Sequence, residues 1–209
     1  MKELPRPEGE RTIAVVTAGL TSPSSTRLLA DQLAAAVRDT LDGRGVPRRV
    51  VVFELRDLAH ELTNNLLTGF PSESLREVLE TVVKADALIA VTPTFSASYS
   101  GLFKLFFDVL DDKALVGKPV LIGATGGTER HSLVLEFALR PLFAYLQAVV
   151  VPTGVYAASS DWGPHATALR ARVERAATEL VDVLTHQPAK GAVDPFANPT
   201  PFEDLLNNS

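Results

Sequence analysis

The sequence predicts an α/β protein built on a doubly wound, five-stranded parallel sheet with helices on both faces. Three observations predict it. Apolar runs too short for helices, and too continuous for strands with one wet face, recur along the chain. Each is followed by a segment whose apolar residues fall at helical spacing. Short loops rich in Gly, Ser, Thr and Pro join the two kinds of segment, and such alternation describes a parallel sheet covered on both faces. The 209 residues suffice to bury roughly 70% of the unfolded surface as one domain. Residues 1–187 are expected to form that domain and residues 188–209 a C-terminal tail.

Thr12-Ile13-Ala14-Val15-Val16-Thr17 is the first buried strand, and Thr17 to Thr26 the loop after it. From Arg27 to about Leu41, Leu29, Leu33, Ala36, Val37 and Leu41 recur at helical spacing, with Ser24 or Ser25 as N-cap and Gly43 as stop. Arg48 to Leu55 is the second strand. The stretch from there to Pro71 is irregular, and Leu66, Leu67 and Phe70 suggest a loop that packs on something. Ser74 and Glu77 have capping-box spacing and open a helix that ends near Ala85.

Ala87-Leu88-Ile89-Ala90-Val91 is the central strand, and it gives way to the loop Thr92 to Ser100. A strongly apolar helix follows from Gly101 to Asp112. Lys118 to Ala124 is the fourth strand, with Thr125 to Arg130 as its loop. A long helix from His131 to Ala148 should be kinked or divided by Pro141. Val149 to Pro152 is a short fifth strand, Ala157 to Gly163 a loop, and Pro164 suits the first turn of a last helix that reaches Leu184.

Composition excludes several function classes. With no cysteine there is no disulfide, thiolate nucleophile or Cys-ligated cluster. The four histidines, His60, His131, His165 and His186, show no metal-ligand spacing, so no metal centre is expected. A net charge of −5 gives no electrostatic reason to expect nucleic acid or an anionic membrane as partner. The N-terminal residues lack the apolar core of a signal peptide, no run approaches a membrane span, and a cytoplasmic protein is expected.

The chemistry is expected in the loops after the first, third and fourth strands, which share one edge of a doubly wound sheet and are poor in charge. The first places the hydroxyls of Thr21, Ser22, Ser24, Ser25 and Thr26 at a helix N-terminus, where free N–H groups favour an anion. Helix capping needs one hydroxyl rather than five, so a phosphate cradle is the better reading. The GxxxxGK[ST] pattern is absent, as is GxGxxG after the first strand, which disfavours ATP and a tightly held NAD. A mononucleotide remains, with its phosphate at the first loop and its flat ring along the other two. Flavin mononucleotide (FMN) fits that description best.

Thr92-Pro93-Thr94-Phe95-Ser96-Ala97-Ser98-Tyr99-Ser100-Gly101-Leu102-Phe103-Lys104 resembles the TP-x-[YF]-x-x-[SA]-Y-x-G-x-[LF]-K signature of the NAD(P)H-dependent FMN reductases, within the flavodoxin-like fold. Ala124-Thr125-Gly126-Gly127, with His131-Ser132-Leu133 and Leu139-Arg140-Pro141-Leu142-Phe143, is similar to the version that partners luciferase-like flavin monooxygenases. The resemblance covers roughly residues 11–185. It implies FMN and NADPH or NADH as cofactors, and a hydride passed from nicotinamide to flavin. It assigns Ser22, Ser24, Ser25 and Thr26 to the phosphate, in a loop opened by Thr17 and Gly19 where many members have Gly-Ser and an early arginine. Pro93, Thr94, Phe95, Ser96 and Ser98 would line the ring edge, and Thr125, Gly126 and Gly127 its far side. The alternative for Gly126-Gly127 is a plain turn. The resemblance associates Tyr99 with a π-bulge at a subunit interface, and makes it a candidate for that interface and the flavin edge; core packing is the alternative. No catalytic acid or base is assigned, since hydride transfer needs none, and Arg130 and His131 are read as a cap or a phosphate or nicotinamide contact. Trp162 is read as a loop anchor.

On the helix from Gly101, apolar residues cover well over half the circumference. The surplus, chiefly Phe103 and Phe107, predicts a homodimer or homotetramer through helices 101–112 and 131–148, the alternative being burial within the same subunit. Phe196, Phe202, Leu205 and Leu206 among the prolines of the tail suggest a strap across its own or a neighbouring subunit. The rival functions are a reductase that keeps its FMN and serves quinones, azo dyes or metal ions, a flavodoxin-type electron carrier, and a non-enzymatic flavin-binding regulator.

Overall fold

The structure is a computed structural model, and it describes residues 9–163 and 166–187. Pro164, His165 and the suggested strap of residues 188–209 lie outside the described residues. The strands are β1 (Arg11–Thr17), β2 (Arg48–Glu54), β3 (Ala87–Phe95), β4 (Ser98–Tyr99), β5 (Pro119–Gly126), β6 (Val149–Val150) and β7 (Val155–Ala158). The α-helices are α1 (Ser25–Gly43), α2 (Ala59–Thr68), α3 (Glu73–Lys84), α4 (Gly101–Asp108), α5 (Arg140–Tyr145) and α6 (Ala166–His186).

The sheet runs β2-β1-β3-β5-β6, all parallel, with β7 also parallel to β5. Five positions therefore hold the parallel sheet, as the sequence predicts, but the fifth is split. Val149–Val150 pair with Pro119–Val120, and Val155–Ala158 pair with Gly123–Gly126. Between them Pro152 has no N–H to donate. The Thr153 N–H and hydroxyl both donate to the Glu179 carboxylate, at 2.6 and 2.7 Å, which draws the backbone off β5. Residues 157 and 158, expected in a loop, belong to β7.

Side-chain alternation along each strand divides the core. Ile13, Val15, Ile89 and Val91 meet Leu29, Leu33 and Val37 of α1 and Val173, Ala177 and Leu180 of α6. Ala14, Val16, Leu88 and Ala90 face the other way, onto Leu62 of α2, Leu75 of α3, Phe103 and Phe106 of α4, and Phe143 of α5. Helices thus cover both faces. Among the described residues no helix is long and apolar enough to cross a membrane.

Several local expectations are corrected. The irregular stretch before Pro71 contains a 3-10 turn, Leu55–Leu58, and then α2, which Gly69 stops at φ +77°. Leu62 anchors α2, whereas Leu66, Leu67 and Phe70 stay exposed among the described residues. Ser72, not Ser74, caps α3, its Oγ accepting from the Leu75 N–H at 3.3 Å. The helix expected over 131–148 is divided into a 3-10 turn at Glu129–His131, a π-helical segment at Leu135–Leu139, and α5 with Pro141 in its first turn. The π-helical segment is therefore not at Tyr99, and it lies in a different element.

The surplus apolar arc of α4 is also explained within the subunit. Phe103 and Phe107 are buried, their rings 4.8 Å apart and each packed edge-on against Phe143, at 6.4 and 5.0 Å. They leave nothing for a second copy to cover. Trp162 is partly buried against the α1/α6 side of the core, as a loop anchor would be.

Candidate active site

β1, β3 and β5 are neighbours, so the loops that follow them meet at one edge. The chain winds from β1 to β2 in one direction and returns to β3 on the other side of β1. The order reverses between β1 and β3, and in open α/β sheets that switch point is the ligand crevice. Thr17 is level with Val91 on β3, and Pro93 with Thr125 on β5. The Ala18 N–H donates to the Val91 carbonyl at 3.0 Å and ties the first loop to the central strand.

Within the first loop the hydroxyls divide into two sets. Ser24 caps α1, its Oγ accepting from the Arg27 N–H at 3.2 Å, and Thr21 donates to the Pro23 carbonyl at 3.0 Å. The Thr26 hydroxyl is buried against that of Thr125 at 2.8 Å, so part of its capacity goes to joining α1 to β5 rather than to an anion. Ser22 and Ser25 are exposed, at the N-terminal end of α1. Gly19 is required by close packing, because a methyl group there would overlap the Ser24 hydroxyl. Arg27 is held by carboxylates, its Nε donating to Asp31 at 2.8 Å and its Nη1 to Glu54 at 2.5 Å. The Asp31 hydrogen bond raises its pKa first, burial opposes this, and the Asp31 and Glu54 charges add to the rise. Hydroxyls and backbone N–H groups, not this arginine, are left to meet an anion.

The second loop is a β-hairpin rather than an open loop. β3 runs on through Pro93 to Phe95, and Thr94 and Phe95 pair with Tyr99 and Ser98 of β4. Ser96 and Ala97 make the two-residue turn at φ 47° and 65°, a left-handed conformation that side chains disfavour. Phe95 and Ser96 are exposed at its tip and Thr94 sits at its base. The Ser100 N–H closes the base on Thr92 Oγ1 at 3.0 Å, and Ser100 Oγ caps α4 by accepting from the Phe103 N–H at 3.2 Å. The Tyr99 ring packs on Phe103, with centroids 5.9 Å apart, which supports its core-packing alternative. Arg130 and His131 are exposed.

Beside the third loop lies a residue that the sequence reading missed. Tyr156 of β7 is level with Ala124, and its hydroxyl donates to the Thr128 carbonyl at 2.8 Å, beneath Gly126. Burial raises the pKa of this hydroxyl, a hydrogen bond with Thr94 opposes the rise, and the charges of Asp161 and Glu129 add to it. No sequence signal marks it, because its place follows from the register of a strand that the sequence reading did not place.

Two buried oxygens bear on what the edge holds. Thr17 Oγ1 is buried without a hydrogen-bond partner in the protein, at the end of β1, and Thr94 Oγ1, on the adjacent strand, is buried with only the Tyr156 hydroxyl beside it. A buried hydroxyl left unpaired is costly, and a polar ligand edge would satisfy it. An edge with hydroxyls from the first loop on one side and the Gly126–Gly127 backbone on the other suits a flat heteroaromatic ring with a phosphate tail.

The fold and this crevice define the chain as a flavodoxin-like protein. The family model for NADPH-dependent FMN reductase matches residues 11–163. The chain is 39% identical to an FMN reductase (NADPH) of Pseudomonas aeruginosa over 79% of its own length and 88% of the relative's. It is 37% identical to the NADH-dependent FMN reductase SfnE of Pseudomonas putida, over 82% and 91%. Among solved structures, an oxidoreductase from Corynebacterium diphtheriae superposes with a TM-score of 0.84 at 45% identity, over 87% of this chain and 100% of that one. The chain belongs to the NADPH-dependent FMN reductase family. It is an NAD(P)H:FMN oxidoreductase, with FMN as its flavin.

Proposed function

We propose that the protein reduces FMN at the β1/β3/β5 edge and releases the product to a flavin-dependent monooxygenase. The observation that carries the site is the unpartnered buried hydroxyl of Thr17 at the switch in strand order, with the buried hydroxyl of Thr94 on the adjacent strand. Ser22, Ser25 and the free N–H groups of α1 would hold the phosphate, with Ser24 and Thr26 shaping the loop. Pro93, Thr94, Phe95, Ser96 and Ser98 would border one edge of the ring, and Thr125, Gly126 and Gly127 the other. Bound FMN supplies the hydride acceptor. The protein's own contribution is positional: it brings two reactants together, excludes water from one side, and donates neutral hydrogen bonds without acid or base chemistry. The cytoplasm, where NADPH is held, is the compartment proposed for it.

A homo-oligomer belongs to the same proposal, through the 131–148 segment. Phe137, in the π-helical segment, is 77% exposed and Tyr145 82%, with Leu133 exposed in the turn just before that segment.

Anaerobic oxidation of NADPH and NADH, with and without added FMN, tests the reading. Turnover that requires added FMN is expected. Turnover without it, by protein that keeps its flavin through gel filtration, would instead assign a reductase with resident FMN.

A further inference from the structure

Tyr156 occupies a place that no residue of the three loops explains. Its ring belongs to the α2–α5 side of the core, and its hydroxyl reaches the rim between the ends of β3 and β5. A methyl group built on Gly126 would overlap the Tyr156 hydroxyl oxygen and lie 3.2 Å from Cζ and 3.7 Å from Thr94 Cβ. The glycine and the tyrosine are therefore complementary. The missing side chain at 126 is the space that the hydroxyl fills.

The backbone of Tyr156 is anchored from the opposite face of the sheet. Arg172 of α6 donates to the Tyr156 carbonyl at 3.3 Å and to Asp161 Oδ1 at 2.9 Å, while Asp161 Oδ2 accepts from the Ala158 N–H at 2.8 Å. A continuous brace thus runs from α6 through β7 to the Tyr156 hydroxyl, and from there to the Thr128 carbonyl. Gly126 ends β5, half-buried and paired with Ala158, whereas Gly127 and Thr128 beyond it are exposed, and the Thr128 carbonyl also accepts from the His131 N–H at 3.4 Å.

We infer that Tyr156 is a positioning residue for flavin reduction, whose hydroxyl holds the Gly126–Thr128 backbone at the height where it borders the flavin ring. This rests on the reading of Thr125–Gly127 as the ring-side wall. The wall is set before flavin arrives, so the ordering cost falls on folding rather than on binding. Because the hydroxyl acts at the ring and not at the phosphate, its effect is the same for flavins with and without a phosphate.

The test uses the full chain and follows quenching of flavin fluorescence by wild type, Tyr156→Phe, Gly126→Ala and the double variant. FMN and riboflavin are titrated separately. Tyr156→Phe is expected to weaken both flavins by the same factor, about three- to tenfold for one neutral hydrogen bond. Gly126→Ala is expected to weaken them further. The double variant is expected to return to the affinity of Tyr156→Phe alone, because the added methyl group collides with an oxygen no longer there. Equal flavin binding by wild type and Tyr156→Phe would overturn the inference, as would a double variant no better than Gly126→Ala. Wild type that binds neither flavin would overturn the ring-site reading itself, and the inference with it.

Discussion

The hydroxyls of Thr26 and Thr125 lie 2.8 Å apart, both buried, and join the first turn of α1 to the end of β5. This bond clamps the two outer walls of the crevice at their base.

Removing one partner leaves the other hydroxyl buried and unpaired. Thr26→Val or Thr125→Val alone is expected to cost about 1–3 kcal/mol, whereas the double substitution, which removes both polar groups at constant shape, is expected to cost less than the sum. Urea unfolding of the four proteins measures the coupling. Strictly additive costs would mean that the bond does not form in solution.

The hairpin turn at Ser96 and Ala97 stores backbone strain where the sequence supplies neither Asn nor Gly. Ala97→Gly is expected to stabilise the fold by about 0.5–1 kcal/mol, since relief of the left-handed strain exceeds the entropy lost by the glycine. A urea midpoint that moves down would contradict the assigned conformation.

Gly19→Ala places a methyl group against the Ser24 hydroxyl and Cβ and displaces the cap of α1. The lost cap is expected to cost about 1 kcal/mol of stability. FMN affinity should fall more than riboflavin affinity, because only FMN carries the phosphate that this loop would hold. Equal losses for both flavins would move the phosphate elsewhere.

The Tyr156 hydroxyl has a raised pKa, caused first by burial. An acid whose folded pKa lies above its unfolded value stabilises the fold fully below the unfolded pKa, and that contribution is lost as pH rises through the folded one. The stability difference between wild type and Tyr156→Phe should therefore be constant at neutral pH and shrink above the ordinary tyrosine value of about 10. A difference that grows with alkaline pH would reverse the sign of the shift.

Phe137→Asp is expected to lower the mass in solution measured by light scattering, as is Tyr145→Asp, without unfolding the subunit, because both side chains are exposed. An unchanged mass for both would retire the 131–148 segment as the interface. Phe103 and Phe107 are unsuitable for this test, since a charge at either would be buried in the core.

Continuous apolar runs and helical periodicity depend only on neighbours in sequence, and they placed β1, β2, β3, β5, α1, α3, α4 and α6. The Thr92–Lys104 motif likewise marked the family from residues alone. Tertiary packing decided what local pattern could not. Whether Phe103 and Phe107 faced a second copy or their own core depended on where Phe143 lay, and helical spacing is blind to that. Which hydroxyls stayed free in the first loop depended on Ser24 capping α1 and Thr26 meeting Thr125, two contacts made only once helix and strands are assembled. Tyr156 became part of the site solely through the register of β7 on β5, a long-range pairing set by where Pro152 and Glu179 break the fifth strand.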